Sequence, residues 1–162
     1  MPRVTILASS RLLSSGPGVF ATPLAYQAGN TPNAIAVGDF NRDGKPDLVT
    51  ANLGSNTVGV LLNAGSGLFA SQVSYAAGPY PYHIAVGDFD NDGLLDLATA
   101  TGEGVGVLRN LGAGVFAAPV AYTAGSVPHS VATSDFDGDG LPDLVVANAK
   151  SNTLGVFLNR CK

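Results

Sequence analysis

The sequence predicts an all-β fold made of tandem units, each with four short antiparallel strands. Three observations carry this. The chain has 162 residues and is 46% hydrophobic but only 12% charged, with 21 glycines, 10 prolines and no tryptophan. That mix suits short strands joined by tight turns and argues against a helical bundle. A nine-residue acidic stretch starting at Asp39 returns at Asp88 and Asp135, intervals of 49 and 47 residues. Phe20, Phe69 and Phe116 keep a similar step, as do Tyr26, Tyr75 and Tyr122, and Pro32, Pro81 and Pro128. A period of this size marks a solenoid or propeller array.

The elements follow in order. Val4–Leu7 reads as the third strand of a preceding unit and Val19–Tyr26 as its fourth, so residues 1–31 form the end strands of that unit. The first full repeat spans 32–80, with strands over Ala34–Phe40, Asp47–Asn52, Thr57–Asn63 and Phe69–Tyr75. Val, Ile, Leu, Ala and Thr dominate these segments, and Gly, Asn, Ser or Pro separate them. The second repeat spans 81–127. The third spans 128–162 and lacks its last strand, because nothing strand-like follows Thr153–Asn159. Runs such as Thr57-Val-Gly-Val-Leu-Leu lack polar alternation, so both sheet faces are expected to be covered, as in stacked propeller blades. Phe40, Phe89 and Phe136 are expected to anchor contacts between units.

The acids define the candidate site. Eleven of the twelve are Asp, and all eleven fall inside the three stretches. They occupy positions 1, 3, 5 and 9 of each: Asp39, Asn41, Asp43, Asp47; Asp88, Asp90, Asp92, Asp96; and Asp135, Asp137, Asp139, Asp143, with Asn41 the one neutral member. Carboxylates this dense repel one another unless a cation lies between them. Calcium accepts about 6–8 oxygen ligands in a tolerant geometry. Gly at position 6 permits the sharp turn that lets positions 1, 3 and 5 converge, and position 7 offers a main-chain carbonyl from Lys45, Leu94 or Leu141. Magnesium prefers strict octahedral geometry, and zinc wants His or Cys, which the stretches lack. The competing reading is a hairpin turn with no ion, since Asp, Asn and Gly all favour turns. A helix–loop–helix calcium site is excluded, because position 12 is Thr50, Thr99 or Val146 rather than Glu and the flanks are strand-like.

Gly-Asp-Phe-Asn-Arg-Asp-Gly-Lys-Pro-Asp-Leu, followed by Asn-Thr-Val-Gly-Val-Leu-Leu-Asn and Gly-Leu-Phe, resembles the FG-GAP/VCBS repeat of integrin-α-type β-propellers. The resemblance covers nearly everything after about residue 18. It implies propeller blades of four antiparallel strands, calcium held in a hairpin loop at the blade edge, six or seven blades per ring, and an extracellular or cell-surface setting. Three motifs make about three blades, so the chain is expected either as an incomplete ring or as a ring completed by oligomerisation. The N-terminal segment is expected to supply the strand that the last blade lacks, in the same chain or a neighbour.

Other chemistry is sparse. No Gly-x-Ser-x-Gly elbow, phosphate-binding glycine loop or carboxylate pair outside the acidic stretches is present, so no enzyme is expected. A net charge of −4 with eight scattered basic residues argues against nucleic-acid binding. No apolar run approaches the roughly 20 residues needed to span a bilayer. The apolar run near Met1 is too short for a secretory signal, which is therefore not expected within this chain. Cys161, the one cysteine, reads as incidental. The middle repeat departs most from the pattern. It holds Glu103 in a connection two residues shorter than its counterparts, Arg109 where the others have Leu62 and Leu158, and Tyr80, Tyr82 and His83 ahead of its first strand. These five form a candidate protein- or glycan-binding set, against the alternative of loop drift. The function expected is a calcium-binding structural or interaction module of a secreted or cell-surface protein. A lectin-like carbohydrate-binding propeller and an accessory fragment of a secreted hydrolase are the alternatives.

Overall fold

The computed structural model describes residues 20–160. The expected strand at Val4–Leu7, Val19 and Cys161 lie outside them. The described chain is all-β, with thirteen strands in four antiparallel sheets, none of them closed.

The first sheet is formed by β1 (Pro32–Gly38), β2 (Asp47–Asn52), β3 (Thr57–Leu61) and β6 (Val73–Ala76), in the order β1-β2-β3-β6. A two-stranded hairpin, β4 (Asn63–Gly65) and β5 (Leu68–Phe69), sits between its third and fourth strands. The second sheet orders β7 (His83–Gly87), β8 (Asp96–Thr101), β9 (Gly104–Leu108) and β10 (Val120–Tyr122) by the same pairings. The third contains β11 (Pro128–Ser134), β12 (Asp143–Asn148) and β13 (Thr153–Phe157).

Several boundaries depart from expectation: β1 runs over Pro32–Gly38 and not Ala34–Phe40, and two others shift for local reasons. The third strand of the first repeat stops at Leu61 because Asn63 turns the chain, its Oδ1 accepting the Gly65 N–H at 2.8 Å. Gly65, Ser66 and Gly67 then take left-handed φ of 91°, 56° and 74°, so Phe69 closes the small hairpin and the fourth strand starts only at Val73. Residues 20–29 carry no strand, although a fourth strand was expected to run through Tyr26.

The sheets stack face to face in chain order, because side chains alternate across each strand. Val49, Ala51, Val58 and Val60 on one face of the first sheet pack with Ile84, Leu97 and Leu108 of the second. Ala98, Ala100 and Val105 on the opposite face of the second pack with Val131, Leu144 and Val146 of the third. The equivalent far face of the third sheet is open: Leu154 is 74% exposed and Val156 58%. Phe40 and Phe89 are buried as expected of anchors, whereas Phe136 is 51% exposed, since it belongs to the outermost sheet.

Candidate metal centres

Each acidic loop joins the first strand of a sheet to the second, so that position 1 leaves one strand and position 9 opens the next. Residues at positions 4 and 6 both take left-handed φ: Arg42 and Gly44 (60°, 79°), Asn91 and Gly93 (58°, 81°), Gly138 and Gly140 (79°, 88°). Glycine adopts this region without strain, which explains position 6. Position 4 carries the same requirement, and only the third loop meets it with glycine.

This backbone path points main-chain N–H groups inward at the acids. Asp39 accepts from Asp43 N at 3.1 Å and Gly44 N at 2.8 Å. Asp88 repeats both bonds with Asp92 N and Gly93 N at the same distances. Asp135 accepts from Gly138 N and Gly140 N at 2.7 and 2.9 Å. At position 5, Asp43, Asp92 and Asp139 accept the N–H of Lys45, Leu94 and Leu141 at 2.9, 2.7 and 2.9 Å. The acids are thus turn formers as well as candidate ligands, since a carboxylate oxygen that accepts one bond has a second lone pair to offer.

Position 9 differs in kind. Asp47, Asp96 and Asp143 are buried, and each uses both oxygens on backbone amides from two other segments. Asp47 accepts Phe40 N (2.9 Å) and Asn63 N (2.7 Å). Asp96 accepts Phe89 N (3.0 Å) and Asn110 N (2.7 Å). Asp143 accepts Phe136 N (2.8 Å) and Asn159 N (2.7 Å). One carboxylate therefore ties the loop start to the end of the third strand. The asparagine it meets, which the sequence reading missed, reaches to the preceding sheet: Asn110 Nδ2 donates to Phe40 O at 2.9 Å and Asn159 Nδ2 to Phe89 O at 2.8 Å. Its repetition at Asn63, Asn110 and Asn159 was a signal available in the sequence.

Asp88, Asp90 and Asp96 each bring a carboxylate oxygen within 4.8 Å of the others, and Asp135, Asp137 and Asp143 do the same. Oxygens on opposite sides of a calcium ion, at about 2.4 Å each, lie about 4.8 Å apart, so both triads fit one ion. An all-oxygen, all-carboxylate donor set suits a hard cation. Burial, opposed by the two amide bonds and aided by repulsion from Asp90 and Asp92, pushes the Asp96 carboxyl up to about 6. In the outermost sheet, the amide bonds from Asn159 and Phe136 outweigh desolvation and hold Asp143 below the usual carboxylate range. The first loop forms no such triad among the described residues. Lys45, whose carbonyl is the expected ligand, sends its side-chain Nζ to Asp43 Oδ2 at 2.7 Å and lowers the Asp43 pKa. Arg42 reaches the second loop, its Nε donating to Gly93 O at 3.2 Å.

The five residues of the middle-repeat set do not converge. Arg109 follows β9 and pairs with Asp90 at 3.4 Å, at the metal-loop end of the sheet. Glu103 lies at the opposite end of β9, in the turn after β8, and Tyr80, exposed with φ of 51°, stands near that turn beside Gly102. Tyr82 stacks on His129 at 4.4 Å, and His83 Nδ1 lies 3.1 Å from Val131 O, so both are engaged with the third sheet.

Stacked antiparallel sheets of three or four strands, each with its first hairpin closed by an oxygen-rich acidic loop, define a β-repeat protein. The family model of the FG-GAP-like repeat matches residues 39–99 and again 89–146. The chain belongs to this family. No curated protein matches the sequence.

Proposed function

We propose that the chain is a calcium-binding structural and interaction module of propeller-type blades, serving a secreted or cell-surface protein. The carboxylate triads Asp88/Asp90/Asp96 and Asp135/Asp137/Asp143 carry this reading. Asp92 and Asp139, with the carbonyls of Leu94 and Leu141, complete the proposed ligand sets. Asp39, Asn41, Asp43 and Asp47, with the Lys45 carbonyl, form the corresponding first site. Bound calcium would supply positive charge to loops in which carboxylates outnumber the cationic side chains beside them. The chain's own residues do the remainder: position 9 holds the strands, and positions 1, 3 and 5 shape the loop. Repeated stacking of apolar faces suits a scaffold that displays loops to a protein or glycan. No helix forms among the described residues, and none is long and apolar enough to cross a membrane.

Isothermal titration of chelator-stripped protein with calcium tests the reading. Saturable binding at two sites, with a third weaker one, is expected. Absence of binding up to about 1 mM, the weak end of calcium modules, would leave the acids as turn formers alone.

A further inference from the structure

Phe116 shows how one unit grips the unit before it. It lies between the first two sheets, edge-on to Phe40 at 5.7 Å and to Tyr75 at 5.6 Å. Phe69 meets Tyr26 in the same way at 5.5 Å, and Tyr26 Oη donates to Gly67 O as Tyr75 Oη does to Gly114 O. One unit further on, Phe89 and Tyr122 stand where Phe40 and Tyr75 stand. With Val107, Leu144 and Phe157 they line a cavity of about 670 Å³ between the second and third sheets. Beside it runs β13, which among the described residues pairs only with β12, whereas β3 and β9 each pair a fourth strand. An open edge beside an apolar cavity is a template for strand addition.

The sequence contains a segment matching what the other units place there. Phe20-Ala-Thr-Pro-Leu-Ala-Tyr26 shares five of its seven residues with Phe116-Ala-Ala-Pro-Val-Ala-Tyr122, which ends in β10. It joins no sheet, and Phe20 is 93% exposed and Leu24 65%. Its Tyr26 rests on the β4–β5 hairpin, on the side of the first sheet turned away from the second. The second sheet thus separates the segment from β13 of its own chain.

We propose that Phe20–Tyr26 of one chain adds to β13 of a second copy as its fourth strand, with Phe20 entering the cavity against Phe89 and Tyr122. The register follows from β9 and β10, where Val105 faces Tyr122 and Val107 faces Val120. On β13 it sets Tyr26 against Leu154 and Leu24 against Val156, the two exposed large apolar side chains of that strand. The same placement brings the first sheet of the donor onto the open face of the acceptor's third sheet. The donor contributes Ile35 and Val37, 68% and 56% exposed, at the positions of Ile84 and Val86, which face the first sheet within one chain. Asn63 then stands opposite Phe136 of the second copy as Asn110 stands opposite Phe40. Donor and acceptor surfaces differ, so the contact is head-to-tail and closes as a ring or extends. The inference rests on sheet stacking and not on the metal reading.

Sedimentation of the 162-residue chain in saturating calcium tests it. Association by about 100 μM is expected, within the range of stable protein interfaces. Phe20→Asp and Leu24→Asp each weaken it about tenfold or more with an unchanged circular dichroism spectrum, since both side chains are exposed. A peptide of residues 20–30 in excess breaks the assembly into peptide-bound monomers, and its Phe20→Asp version does not. A chain that stays monomeric and binds no peptide overturns the proposal, as does an assembly that both substitutions leave intact.

Discussion

Asp96 makes a prediction whose sign depends on whether the metal is present. Its carboxyl titrates near 6 in the fold against an ordinary 3.8, chiefly because burial disfavours the charged form. Without metal, the folded chain therefore holds a proton that the unfolded chain has released between about pH 4 and 6. Stability from this group is fully present below the unfolded value and is lost as pH rises through 6. The gap is worth about 3 kcal/mol, or about 6–12 °C in Tm for a chain of this size. The assay is calorimetry of wild type and Asp96→Asn in excess chelator from pH 4.5 to 7.5. The amide cannot ionise, so the difference between the two curves reports the titration of Asp96 together with its coupling to Asp90 and Asp92. Relative to the variant, wild type is expected to lose stability from pH 4.5 until the pH passes the folded value near 6, and then to level off. In saturating calcium the slope reverses, because the proton then competes with the ion for the same oxygens and wild type gains as pH rises. A wild-type-minus-variant difference that is flat with pH in chelator, or that slopes the same way with and without calcium, refutes the reasoning.

Two further outcomes follow from the loops and the asparagines. The first site is expected to be the weakest and the first to empty under a chelator, because Asn41 is neutral and Lys45 ion-pairs with Asp43; combining Asn41→Asp with Lys45→Leu should raise its affinity about tenfold or more in calorimetric titration. Asn110→Ala removes the donor that Phe40 O and Leu95 O share and the acceptor for Gly112 N, so a loss of about 2–4 kcal/mol is expected by chemical denaturation, with a smaller loss for Asn63→Ala, whose side chain among the described residues hydrogen-bonds within its own unit.

Much of the site was legible because one residue type marks it: Asp occurs only in the three loops, and glycine at position 6 announces the turn. Strand content was legible from apolar runs bounded by turn residues. What escaped depends on pairing between distant segments. That Asp96 is a buried clasp and not only a loop ligand requires Asn110, fourteen residues on, to be folded back beside it. Position 4 gave no warning of its left-handed backbone, because Arg42 and Asn91 tolerate it under tertiary constraint while only Gly138 advertises it. Tyr82 and His83 looked like loop residues available to a ligand. Their engagement with His129 and Val131 follows from how the sheets stack, which strand patterns alone do not specify.

The position-9 aspartate explains why a loop at the edge of a sheet affects the stack as a whole. Its oxygens fix the start of the loop and the residue beyond the third strand, and that residue's amide group grips the sheet before it. Charge repulsion within the loop therefore acts on a carboxylate that is already committed to three segments. Moving it disturbs the hairpin, the third strand and the contact between sheets together. In the proposed calcium-bound state this relay runs the other way. Neutralising the loop lets Asp96 keep its charge while holding both amides, and charged acceptors make the stronger bonds. The ion would then be linked to sheet stacking through a single buried side chain in the second and in the third repeat.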